Sequence, residues 1–304
     1  NEASANQGGA LAVTAGSSST PTDLVVSSST FEDNLTAYRF GGAIALGTTS
    51  ISQSYGDLVV TDSSFTGNSA SGSANSNGGA ILVNTGGTDT VTISNSQFES
   101  NSAYVSGGAI YINGAFETDI SLVTFTENSA SGAASYDRYG GALFINGGNE
   151  VTLSNNLFCG NSVTRYPSYA ASGGAVYIQG ATDFYVYNTI FQENSTDEHG
   201  GAFSVDTVGY FEMTNNSLVG NSSTTAGSMW LNSTSAILNN NIFSYSTGAA
   251  VYGQDSSSGG TTAQYSDWYQ NSSDTGGQIS ISTSANGNIT ADPTFISYSQ
   301  DGDC

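Results

Sequence analysis

Three arginines, one histidine and two cysteines are the scarce reactive residues of this 304-residue chain, which has no lysine. The arginines all stand beside aromatic rings: Tyr38-Arg39-Phe40, Tyr136-Asp137-Arg138-Tyr139 and Arg165-Tyr166-Pro167-Ser168-Tyr169. Tyr and Arg dominate binding hot spots because they offer large contact area at modest entropic cost, and ring faces suit sugars. Tyr104 occupies the corresponding stretch one unit earlier. Tyr104, Tyr136, Arg138, Tyr139, Arg165, Tyr166 and Tyr169 are therefore candidate binding residues, the alternative being that these rings fold back to order their own loops. His199 follows Glu193, Asp197 and Glu198. A solvated loop with a lone histidine explains that group more simply than catalysis or metal binding.

Polysaccharide hydrolysis needs two carboxylates at a fixed separation. A β-helical lyase needs clustered carboxylates for Ca2+ with an arginine or lysine base beside them. The remaining acids, such as Asp57, Asp62, Asp89, Glu99, Glu117, Asp119, Glu127, Glu150 and Asp183, are scattered along the chain. No catalytic residue is assigned, and no enzyme is expected. The enzyme reading would gain if Arg138 or Arg165 faced two carboxylates in a groove. No cofactor is expected either: excess acid would suit Ca2+, but neither a Gly-Gly-x-Gly-x-Asp nonapeptide nor an EF-type loop is present. The net charge of −22 leaves no basic surface for phosphate, which excludes nucleic acid as a partner. No apolar run reaches the length of a membrane-spanning helix. Cys159 and Cys304 cannot make a disulfide framework. Counted along the repeat they stand several units apart, beyond the roughly 4–7 Å between bridged Cα atoms, so Cys304 is expected to pair outside this segment.

The elements that must position these residues come from two alternating motifs. Gly-Gly-Ala begins at Gly8, Gly41, Gly78, Gly107, Gly140, Gly173 and Gly200, and Phe-x-x-Asn recurs from Phe31/Asn34 to Phe191/Asn194, with degenerate copies at Leu218/Asn221 and Phe243/Ser246. The steps between the phenylalanines are 34, 33, 27, 33 and 33 residues, which are solenoid periods. Each unit holds short alternating runs, such as Ile110-Tyr111-Ile112 and Val151-Thr152-Leu153, separated by turn residues such as Asn113-Gly114. The pattern predicts an all-β, single-stranded right-handed parallel β-helix of roughly eight or more coils. Phenylalanines would stack inward at about 4.8 Å. Asn95, Asn155, Asn188, Asn215 and Asn240, with Asp62, would stack at a corner. If Ile110 and Ile112 point inward, Tyr111 points out, and Leu82, Tyr111, Phe144 and Tyr177 form a ladder on successive coils. Such a ladder is either an exposed interface or covered by loops.

Gly-Gly-Ala-Ile alternating with Phe-x-x-Asn, over residues 8 to about 250, resembles the polymorphic membrane protein repeat of chlamydial outer-membrane autotransporters. The resemblance implies a right-handed β-helix, export to the cell surface, and adhesion or surface architecture; it brings no catalytic residues. Residues 1–250 are read as the repeat region and 251–304 as irregular terminal coils of the same solenoid. Asn1 stands seven residues before Gly8, as Asn34 does before Gly41, and Ala291-Asp292-Pro293-Thr294-Phe295-Ile296 resembles the closing segment of secreted bacterial β-helices. Both ends suggest a piece cut from a longer surface polypeptide. The expected function is a non-catalytic extracellular rod that presents loops and ladder to a cell-surface glycan, a protein or other copies. The alternatives are a polysaccharide-binding or polysaccharide-degrading β-helix and a subunit of an extracellular filament or sheath.

Overall fold

The computed structural model describes residues 2–3, 8–13, 23–37, 40–47, 55–72, 76–132 and 136–295. They wind into a right-handed parallel β-helix with every named strand pairing parallel. Each coil contributes a strand to three stacked sheets. The first sheet contains the run after Gly-Gly-Ala, such as Ile110–Asn113 and Leu143–Asn146, together with two-residue strands such as Ser102–Ala103. The second holds nine strands from Leu24–Ser27 to Thr262–Gln264, and the third nine from Thr30–Glu32 to Asp267–Tyr269.

The Phe-x-x-Asn motif builds the interior. Phe65, Phe98, Phe125 and Phe158 are fully buried, with successive ring centroids 4.7, 5.1 and 4.6 Å apart. Each such ring removes enough apolar surface to contribute roughly 2–3 kcal/mol. Trp268 extends the column, 4.5 Å from Phe243. The motif's asparagines form a buried ladder. Asn128 donates through Nδ2 to Asn161 Oδ1 and to the Phe98 carbonyl, both at 2.9 Å, while its own Oδ1 accepts from the Asn101 backbone and side-chain N–H groups, both at 3.0 Å. The same set repeats at Asn68, Asn101, Asn161 and Asn194. These side chains satisfy backbone groups where the coil turns out of the third sheet. Asn34 and Asn194 are also sequons, and their burial in the ladder leaves no room for a glycan.

The asparagines three residues before the phenylalanine behave differently. Asn95, Asn155, Asn188, Asn215 and Asn240 are exposed and adopt left-handed backbone, with φ between 45° and 61°. Only Asn95, donating to Asp62, shows the expected bond along the axis. Their recurrence reflects tolerance of the left-handed region. Leu122 takes the same corner at φ 56°, so the coil, rather than the residue, dictates it. The paired glycines divide their work. Gly107 is left-handed at φ 64°, whereas a Cβ on Gly108 would collide with the Gly141 carbonyl of the next coil.

Beyond Gly253 a short 3-10 turn, Ser256–Gly260, precedes the last strands. Asn288 accepts from the Ser266 N–H and donates to the Ala263 carbonyl, ending a second buried polar column that includes Asn216 and Asn241. Cys159 is disulfide-bonded; Cys304, the chain's other cysteine, lies outside the described residues. The spacing argument, which left Cys159 without a partner in this segment, therefore fails at Cys159.

Candidate binding face

The loops between the Phe-x-x-Asn asparagine and the next Gly-Gly-Ala lie together along one side of the rod, because the coils stack in register. Under them runs an open groove of about 300 Å3, lined by Ser69, Ala70, Ser71, Ser102, Ala103, Tyr104, Ser131 and Gly132. Its floor comes from two-residue strands after the ladder asparagine: Ser69 and Ser102 align in register, and Ser102 Oγ donates to Ser69 Oγ at 3.0 Å. Tyr104 forms a wall. Gly132 leaves the space for its ring, since a Cβ there would overlap ring and backbone of Tyr104. No lining residue is charged.

Arg138 sits behind this wall, only 1% exposed. It donates to the Gly132 carbonyl and, at 3.4 Å, to the Thr164 carbonyl, with its guanidinium 5.7 Å from the Tyr166 ring centre. It therefore ties two loops together. Burial lowers its pKa from the ordinary arginine value, with the Tyr104 and Tyr166 phenols opposing. Arg165 is exposed; its guanidinium approaches Glu198 at 3.5 Å and its backbone N–H meets Asp197 Oδ2 at 2.7 Å. Tyr166 and Tyr169 pack 6.2 Å apart beside it, and Tyr136 is exposed at the loop tip. Arg165 thus has the carboxylates of Glu198 and Asp197 beside it, on an exposed loop rather than in a groove. Arg39 and Tyr38 lie outside the described residues.

The ladder forms in the expected register, Leu82↔Tyr111↔Phe144↔Tyr177, but it is not exposed. Leu82, Phe144 and Tyr177 are buried and Tyr111 is half-buried. The residues just before Gly-Gly-Ala fold over it. Phe40 packs with Ala45, Leu82 and Tyr111, and the Tyr139 ring lies 4.3 Å from Tyr177 and 6.0 Å from Phe144. Burial, reinforced by Asp137 for Tyr139 and Asp206 for Tyr177, holds both phenols far above the usual tyrosine pKa. The expected apolar stripe is thus a second, smaller core.

His199 belongs to that cover. It stacks on Trp230 at 5.0 Å, and Glu198 lies 3.7 Å from its Nε2. Burial lowers its pKa, with Glu198 opposing, so the neutral ring is favoured and its role is packing. Among the described residues no group of His, Cys, Asp and Glu has the geometry of a metal site, and no helix is long and apolar enough to cross a membrane.

Sequence reading missed Gly132, Phe40, Trp230 and the serine floor. The Ser-Ala or Ser-Val pair after each ladder asparagine was the available signal for the floor, and extending the ladder register two coils past Tyr177 leads to Trp230.

A family model described as the Chlamydia polymorphic membrane protein repeat matches residues 62–84 and 95–113. Those two stretches carry the pattern of that repeat. Both matched stretches run from the left-handed corner through Phe-x-x-Asn and Gly-Gly-Ala to the end of the following strand, which is the span that builds the Phe column, the Asn ladder and the groove floor. No curated protein and no solved structure matches the chain.

Proposed function

We propose that this chain is a non-catalytic rod displayed at the outer-membrane surface, and that its loop face is adhesive, holding a neutral saccharide in the Tyr104 groove. The polymorphic membrane protein repeat supports the location. The character of the groove carries the ligand class. In a chain of net charge −22, the groove offers serine hydroxyls, a pinned aromatic wall and no charge. Hydroxyls that both donate and accept match sugar hydroxyls, and the flat ring suits the apolar face of a pyranose. Exposed Tyr136 and Arg165, on the loops of the following coils, offer adaptable contacts. The covered ladder argues against lateral filament packing through that stripe. Arg138, buried and bonded to two backbone carbonyls, argues against its serving as a lyase base.

A glycan array probed with the protein and with Tyr104→Ala tests this. The expected result is binding to neutral glycans, weakened about tenfold by the substitution, as for loss of one aromatic anchor. Absence of glycan binding, or equal binding by both proteins, overturns the reading.

A further inference from the structure

The outward face of the second sheet gathers tyrosines and carboxylates from successive coils. On coils carrying Asp183–Tyr187 and Tyr210–Thr214 it presents three tyrosines: Tyr185 lies 6.0 Å from Tyr187 and 5.7 Å from Tyr210. Tyr210 is exposed, and Tyr185 and Tyr187 are half-buried. Around them, in register, stand Glu117, Glu150 and Asp183 in one column and Asp119 in the next, with Glu212 directly beside Tyr185. Columns are about 6.8 Å apart along a strand and coils about 4.8 Å apart, so five carboxylates share one flat face. Like charges directly opposite each other destabilise a sheet. Among the described residues none of the five is in an ion pair. Glu212 is committed to the rings, accepting from Tyr210 Oη at 2.9 Å and Thr214 Oγ1 at 3.1 Å. Tyr rings this close to carboxylates on a solvent-facing sheet would be attracted to a cation over the ring face.

We propose that this face docks a lysine- or arginine-rich polypeptide segment, its cations lying over the Tyr185, Tyr187 and Tyr210 rings and between the carboxylates. Charge complementarity selects that occupant. A cationic segment relieves the repulsion among Glu117, Glu150 and Asp183, which a neutral saccharide leaves in place. The strand-wise spacing also matches alternate side chains of an extended peptide. The face lies on the second sheet, away from the Tyr104 groove, so the proposal does not depend on that reading.

The test is titration of a deca-lysine peptide into the whole chain at physiological ionic strength, compared across three folded variants. Tyr185→Ala with Tyr210→Ala leaves net charge unchanged. Glu117→Gln with Glu150→Gln removes two charges from the face. Glu32→Gln with Glu99→Gln removes two from exposed positions on the third sheet. The expected result is weakening of about tenfold for each of the first two pairs, the order expected for two cation–π contacts, and less than twofold for the third. Equal weakening by both charge-removing pairs, no effect of the tyrosine pair, no binding of the peptide, or capture of a neutral glycan by Tyr185 and Tyr210 instead each overturns the proposal.

Discussion

Replacing Asn128 by alanine tests whether the buried amide ladder, rather than the phenylalanine column alone, holds neighbouring coils in register. Asn128 is fully buried, and its side chain makes four hydrogen bonds across three coils. The substitution deletes all four. The Asn101 side chain keeps its bond to the Phe65 carbonyl, but the Asn101 backbone N–H loses its side-chain acceptor inside the protein. An unsatisfied buried donor costs about 1–3 kcal/mol, and each of the three other lost bonds about 1 kcal/mol net, so the sum is about 4–6 kcal/mol. A solenoid distributes such a loss locally, because each coil contacts only its neighbours. Urea unfolding followed by tyrosine fluorescence should show the shift, and hydrogen exchange should accelerate first in the coils of Asn101, Asn128 and Asn161. Asn149→Ala is the control: that exposed side chain makes no hydrogen bond, and its loss should stay within about 0.5 kcal/mol. A cost below about 1 kcal/mol for Asn128→Ala, or exchange that accelerates uniformly along the rod, would refute the reasoning.

Gly132→Ala should unseat Tyr104, because the added methyl meets both its ring and its backbone carbonyl; saccharide binding falls at least as far as with Tyr104→Ala, and the melting temperature falls with it. Tyr139 and Tyr177 have pKa values raised by burial far above the ordinary tyrosine value. Their folded-state stabilisation is complete below the unfolded value and is lost as pH rises past it, so ultraviolet titration of the 17 tyrosines should show a lagging fraction that disappears in urea. His199 shifts the opposite way, its pKa lowered by burial. Its contribution is present above the unfolded value near 6.5 and lost as pH falls below it, and the acid side of the melting profile should flatten in His199→Gln. Because Cys159 is disulfide-bonded, denatured protein should resist iodoacetamide at this position until a reductant is added; labelling without reductant would contradict the bond.

The coil architecture was legible because its rules are local and repeated. Two glycines at a corner and one phenylalanine per coil recur at solenoid spacing, and each repetition restates the same steric demand. The polar ladder was misassigned between two asparagines in the same corner segment, such as Asn95 and Asn101. Both recur and both favour turns. Which one points inward depends on where the left-handed residue falls, and that is a backbone property that composition does not encode. The outward ladder was placed in the right register, yet its exposure could not be read from alternation. Alternation says which way Phe144 points from its own strand, whereas Tyr139, one turn earlier in the chain, decides whether anything covers it. The sheet face with Tyr185, Tyr187 and Tyr210 was hidden for a similar reason: its residues come from separate coils and become a cluster only once the register is known.

That register also explains how one rod can carry two chemically opposite surfaces. Inside, each column is constrained by its neighbours above and below, since a ring or amide that leaves its column breaks contacts in three coils. Outside, a column is bound only by pleat and solvent. The serines Ser69 and Ser102 and the carboxylates of Glu117, Glu150 and Asp183 both arise by repeating one kind of side chain from coil to coil. Repetition in the first case yields a neutral hydroxyl floor. In the second it multiplies like charge until only a cationic partner would relieve it. The interior sets where each column stands, and the outward residue type then decides what the rod can hold.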